Sequence, residues 1–177
     1  ILAPPPRAWC SPSPARSSRS SAPPRTPSTS ATIDADRFAA LGVRGLTICD
    51  TTGMAHPAQV TRLTRALQQR FGSLQLTLHF HNTRGMGLAN VLAAIDAGAD
   101  RFDASLGGLG GCPYAKGATG NVATEDVVFM LDGLGIQTGI ALDALVDAGA
   151  FISEVLGRPP VSRAGKALLA KREKVAA

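Results

Sequence analysis

The sequence predicts an α/β fold in which parallel strands alternate with helices. Two observations carry this. Short apolar runs of strand length recur between longer segments with helical periodicity, and glycine, threonine or proline bounds each run. Such alternation marks βαβ units, whose strands lie side by side in one sheet. A first helix is expected over 34–42, ending at Gly42. Gly45-Leu46-Thr47-Ile48-Cys49-Asp50 follows as a buried strand with Cys49 in the core, closed by Thr51-Thr52-Gly53. Pro57 to Phe71 reads as an amphipathic helix, with Val60, Leu63, Ala66, Leu67 and Phe71 at helical spacing. Leu76 to Phe80 is the second strand, Gly87 to Ala97 a helix closed by Gly98, and Arg101 to Ser105 the third strand. Val122 to Leu134 is the next helix, with Val127, Val128, Met130 and Leu131 on its core face. Glu125 and Asp126 in its first turn suit the helix dipole. Leu142 to Leu156 forms a further helix, ended by Gly157-Arg158-Pro159-Pro160, and a loose basic helix runs from Ser162 to Ala177.

Composition divides the chain into two parts, residues 1–30 and 31–177. The first holds eight Pro, eight Ser and four Arg without one acid. Such a segment cannot bury enough apolar surface to offset its ordering entropy, so it reads as disordered. An out-of-frame upstream translation or a misplaced start accounts for it and for the initial Ile1; an organelle transit peptide is the other reading. Its arginines supply most of the net charge of +5, and without them 14 basic residues face 13 acidic ones. A nucleic-acid partner therefore has little support. No segment offers the ~20 continuous apolar residues of a membrane span. Three distant cysteines, Cys10, Cys49 and Cys112, form neither a disulfide framework nor a zinc finger. A reducing compartment follows, the cytoplasm in preference to the mitochondrion.

The chemistry concentrates between His79 and Asn121. Histidines at i and i+2 of a strand project to one face, so His79 and His81 point together at a strand end. A loop rich in glycine, Gly107-Gly108-Leu109-Gly110-Gly111-Cys112-Pro113-Tyr114, follows about one βα unit later, and then Gly120-Asn121. That is how a metal site at the mouth of an α/β barrel is built. Imidazoles and an amide oxygen suit Mg2+ or Mn2+ once a carboxylate joins them. Cys112, on an exposed loop, can donate a proton at neutral pH. Asp50 ends its strand where barrel chemistry occurs, and it equally suits a turn aspartate for Thr51-Thr52-Gly53. Glu125 reads first as a helix-dipole residue, with orientation of a ligand from behind as its second role. Arg84 and Lys116 could attract an anionic substrate or simply be solvated, and His56 is assigned no role.

Leu78-His79-Phe80-His81-Asn82-Thr83-Arg84-Gly85, then Leu88-Ala89-Asn90, and above all Gly107 to Tyr114, resemble hydroxymethylglutaryl-CoA lyase. That family belongs to the metal-dependent (β/α)8-barrel lyases and synthases, and the resemblance covers roughly Asp34 to the C-terminus. Synthases of the isopropylmalate and homocitrate type share the His-x-His strand but carry Glu-Arg-Ala-Gly-Asn in this loop. Here it reads Tyr114-Ala115-Lys116-Gly117-Ala118-Thr119-Gly120-Asn121, on the lyase side. The resemblance implies a partial TIM barrel, the last three of eight βα units plus C-terminal helices; a complete barrel of about 250 residues does not fit. It implies a divalent metal on His79, His81 and Asn121, with Cys112, His79 and Asp50 in the catalytic set. Glu125, Thr51, Gly110 and Gly111 would line the substrate loop or stand behind the ligands. The implied reaction is retro-Claisen cleavage of 3-hydroxy-3-methylglutaryl-CoA to acetyl-CoA and acetoacetate, as in leucine degradation and ketone-body metabolism. An acyl-CoA is then the partner, with a homodimer for the full-length enzyme. The family's first-strand aspartate has no counterpart in this chain, so a weak metal site is expected. The alternatives are a catalytically inactive fragment and a related acyl-CoA-dependent synthase.

Overall fold

A single central strand organises the sheet in the computed structural model, which describes residues 29–111 and 120–176. Strand β2 (Gln75–Phe80) pairs in parallel with β1 (Gly45–Asp50) on one side and β3 (Phe102–Asp103) on the other. Register runs from Gly45 beside Gln75 to Asp50 beside Phe80, and His79 lies beside Asp103. Parallel strands need crossovers. Helices α2 (Pro57–Phe71) and α3 (Gly87–Asp96) supply them, and α1 (Thr29–Ala40) precedes β1. A 3-10 turn (Leu106–Gly108) follows β3, then α4 (Thr124–Gly133), α5 (Leu142–Val155) and α6 (Arg163–Ala176).

Helices cover one face of the sheet. Leu78 and Phe80 of β2 pack with Val60 of α2, Val91 and Ala94 of α3, and Val122, Val127 and Leu131 around α4. A smaller cluster joins Ala35 of α1 to Leu67 and Phe71 of α2, with Leu46 and Ile48 against it. The helical spacing of α2 forecasts this burial well, because Val60, Leu67 and Phe71 all turn inward. Met130 packs at the margin of the main core.

Among the described residues nothing covers the other face of β1, and this corrects the reading of Cys49. Exposure alternates along β1, with Thr47 and Cys49 outward and Leu46 and Ile48 toward the helices. The apolar run suggested burial on both sides, but only every second residue meets a helix. Cys49 is exposed. Desolvation among its strand neighbours and then the negative charge of Asp103 raise its thiol pKa.

Several boundaries also shift, α1 running Thr29–Ala40 rather than 34–42. β3 is shorter than the expected 101–105, and α4 starts at Thr124 rather than Val122. Residues 121–123 are drawn to the strand ends instead. The Val122 N–H donates to the Phe80 carbonyl, the Ser105 N–H to Val122 and the Thr124 N–H to Ser105. These backbone groups are satisfied without helical geometry, so the helix begins after them. The Pro/Ser/Arg-rich segment lies outside the described residues, apart from Thr29 and Ser30, which begin α1. Among the described residues no helix is long and apolar enough to cross a membrane.

Leu67 is fully buried between α1, α2 and the sheet. Leu67→Ala is expected to cost about 2–5 kcal/mol through lost transfer energy and a residual cavity. Urea unfolding followed by circular dichroism checks this, with the midpoint moving down and the slope unchanged.

Candidate active site

Parallel pairing gathers the loops after β1, β2 and β3 at one end of the sheet, the end that carries Asp50, His79 and His81. His79 ends the paired part of β2, and His81 follows on the same face with ring centroids 5.2 Å apart. His81 is buried and forms an antiparallel bridge with Asn121. The Asn121 amide is oriented by its neighbours. Its Nδ2 donates to the Leu109 carbonyl at 2.9 Å, which leaves Oδ1 turned away from that bond. Gly110, at φ +92°, permits this approach, since a Cβ there would stand 2.8 Å from Nδ2.

Polar accounting at this end is incomplete. Among the described residues, His81 Nδ1 and Asn121 Oδ1 are buried and have no hydrogen-bond partner, as are Thr83 Oγ1 and Asn90 Oδ1. An unmet buried acceptor costs about 1–3 kcal/mol, so two of them on bridged residues is a finding to explain. A cation fits both, because a neutral imidazole nitrogen and an amide oxygen are donors of electron pairs. Burial lowers the pKa of His81, and the nearby His79 lowers it further; the charge of Asp50 partly opposes them. These effects favour the neutral ring, the form that ligates metal.

Asp50 lies close enough to act on His81 by charge, yet both its oxygens serve the loop after β1. Oδ1 accepts from the Met54 N–H at 2.9 Å and Oδ2 from the Ala55 N–H at 3.1 Å. The turn-aspartate role is therefore realised here. Arg84, considered as a substrate anchor, instead donates to the Thr52 and Gly53 carbonyls and ties two loops together. Thr51 is exposed in the turn, and Gly111 is exposed at the edge of the described residues. Cys112 and Lys116 lie outside the described residues. Among those described, no three His, Cys, Asp or Glu side chains cluster as a metal-binding group.

Glu125 sits in the first turn of α4, as a dipole residue would, but it is not at the surface. It is 1% exposed, and both oxygens accept from one donor, the Gly107 N–H, at 2.9 and 3.0 Å. Burial raises its pKa, its own N–H and that of Gly107 pull it down, and the charge of Asp126 raises it again. Asn90 has a place in the motif but no role assigned from sequence; its Nδ2 donates to the Ala55 carbonyl at 3.0 Å from a fully buried position on α3. The signal was present: Asn90 interrupts the inward face made by Gly87, Val91 and Ala94. Asn82, which accepts from the Gly87 N–H at the start of α3, was read only as part of the motif.

A family model described as HMGL-like matches residues 17–152. The chain belongs to this HMGL-like family. The match begins inside the segment that composition assigned to a tail. Hydroxymethylglutaryl-CoA lyase YngG of Bacillus subtilis is 49% identical over 122 residues, covering 69% of this chain and 41% of that protein. (R)-citramalyl-CoA lyase of Chloroflexus aurantiacus is also 49% identical, over 127 residues, covering 72% and 40%. The crystal structure of hydroxymethylglutaryl-CoA lyase from Pseudomonas aeruginosa aligns with a TM-score of 0.75 at 47% identity, covering 80% of this chain and 47% of that one. The chain thus spans less than half the length of these relatives. Its fold is a partial TIM barrel, and the described sheet supplies three parallel strands of it.

The depressed pKa of His81 sets the sign of a pH effect. As pH falls, the unfolded chain takes up this proton before the folded one does. Its contribution to stability is therefore complete above the ordinary histidine range of about 6.5, is lost as pH drops below it, and levels off once folded His81 is protonated. Chemical denaturation from about pH 8 to about pH 5 should show a steeper decline for the wild type than for His81→Gln.

Proposed function

We propose that this chain carries the histidine, asparagine and cysteine part of an acyl-CoA carbon–carbon lyase acting on 3-hydroxy-3-methylglutaryl-CoA. The observation that supports this best is that, among the described residues, His81 Nδ1 and Asn121 Oδ1 are buried and unpartnered on two bridged residues beside His79 in an HMGL-like chain. His79, His81 and Asn121 would hold a divalent cation, Mg2+ or Mn2+. When bound, it supplies Lewis-acid polarisation of the substrate's oxygens. His79, half-buried at the mouth, is assigned the proton of the tertiary hydroxyl. Loss of that proton lets the carbon–carbon bond to the thioester's α-carbon break. The alkoxide oxygen becomes the ketone of acetoacetate, and the bond's electrons go to the acetyl-CoA enolate. Cys112 is assigned the proton that this enolate carbon receives. Gly110 and Gly111 give the loop backbone a close approach to substrate, and Thr51 rims the same end. Cytoplasmic location is part of this reading.

A second reading has an observation behind it. Both Asp50 oxygens are taken by backbone N–H groups, and among the described residues no other carboxylate joins the histidines. Hard cations prefer charged oxygen ligands. On this reading the chain alone binds metal weakly and is silent without the rest of a barrel.

Mn2+ titration by calorimetry distinguishes the two. Weak binding, above micromolar, is expected from the chain alone, and His81→Ala should abolish it. Micromolar binding would favour a competent site, and turnover of 3-hydroxy-3-methylglutaryl-CoA would then be followed by acetyl-CoA release. Cys112→Ala should lower kcat by about 100-fold or more and leave Mn2+ affinity unchanged. Faster cleavage of citramalyl-CoA would replace the substrate assignment.

A further inference from the structure

The buried carboxylate of Glu125 is the least expected feature of the described chain, because among the described residues no cation pairs with it. Both its oxygens accept from the Gly107 N–H, and its own N–H acts on it as well. A glycine of α5 makes room for it, and α6 packs against its stem. A Cβ on Gly149 of α5 would stand 2.5 Å from Glu125 Oε1, and one on Gly165 of α6 would meet its Cγ at 3.9 Å. Burying a carboxylate is costly, and a dipole-facing residue could remain at the surface. Its burial therefore needs a purpose at Gly107.

Gly107 is gripped from both sides of its residue. Its N–H goes to Glu125, and its carbonyl accepts from the Val161 N–H at 3.1 Å. It holds φ +61°, where a side chain would add strain, so it turns the chain sharply after β3. The turn closes with Gly108 N–H donating to Ser105 and Leu109 N–H to Leu106. The Leu109 carbonyl then accepts from Asn121 Nδ2, the bond that sets which way the amide is turned, while the Asn121 backbone bridges His81. A Cβ on Gly120 would lie 2.6 Å from the Gly108 carbonyl, so the turn and residues 120–121 pack backbone to backbone.

We infer that Glu125 is a positioning residue for Asn121, acting through the Gly107–Leu109 turn. An N–H held by a buried acceptor fixes the turn, the turn fixes the Leu109 carbonyl, and that carbonyl selects the face of the Asn121 amide. The consequence for metal binding rests on the function proposed above; the orientation of Asn121 does not. The chemistry asked of Glu125 is acceptance of one hydrogen bond at one place, so a neutral acceptor of equal length serves and a shorter carboxylate does not.

The test uses the full chain without metal, with Glu125→Gln, Glu125→Asp and Glu125→Ala. Two readouts are taken: amide hydrogen exchange, and the NMR signals of the Asn121 side-chain NH2, assigned by their loss in Asn121→Ala. Exchange at Gly107 and Leu109 should rise about tenfold or more in Glu125→Asp and Glu125→Ala while α2 and α3 stay protected. The Asn121 NH2 signals should move toward free-amide positions in the same two variants. Glu125→Gln should restore both. Unchanged turn exchange and unchanged Asn121 signals in Glu125→Asp would overturn the inference. So would a rise spread evenly over all helices, or collapse of the fold in both Glu125→Asp and Glu125→Ala, because the residue would then serve the fold as a whole. Mn2+ titration of the same variants separates the two ideas. Absence of binding in the wild type would count against the metal chemistry while leaving the clamp intact.

Discussion

The placement of β2 between two parallel neighbours is the constraint from which the rest follows. Parallel pairing sends every C-terminal strand end to one side. The loops after Asp50, Phe80 and Asp103 therefore converge without any contact designed to bring them together. The same strand extends its reach one step further. The Phe80 carbonyl accepts from Val122, and His81 bridges Asn121, so residues 120–123 are pinned to the strand ends although they belong to the connection before α4. One strand thus fixes both the histidine pair and the asparagine that meets it.

Polar side chains around this end fall into two populations. Asp50, Asn82, Glu125 and Asp126 accept from backbone N–H groups of loops and helix starts. Their work is to let irregular backbone lie against a packed core without orphaned donors. His81 Nδ1 and Asn121 Oδ1 form the other population, buried and unmatched among the described residues. The first group builds a rigid frame, and the second is what the frame presents. Asn90 belongs to both, since its Nδ2 holds Ala55 while its Oδ1 is unmatched.

The order and type of the elements were legible because periodicity reports which residues must leave water. The i, i+2 histidines were legible for the same reason, since strand geometry alone puts them on one face. Less of the rest could be read. Cys49 looked like core because its run is apolar, and sequence does not say that only one face of β1 meets the described helices. Glu125 looked like a dipole residue because its partner, Gly107, lies 18 positions away, and glycine has no side chain to advertise the bond. The start of α4 was misplaced because Val122 and Ala123 have no local reason to be extended; distant backbone acceptors hold them so. In each case the missing information was a contact between segments far apart in sequence.

Arg172 of α6 reaches back to Asp143 and Asp147 on α5, in an exposed cluster of one cation and two carboxylates. The connection between these two helices contains Val161, whose N–H holds the Gly107 carbonyl, and Ser162, whose hydroxyl donates to Asp126. The backbone that grips the glycine turn is therefore the short link between two helices laced together at the surface, so the turn borrows its anchorage from a helical hairpin that lies after it in the chain.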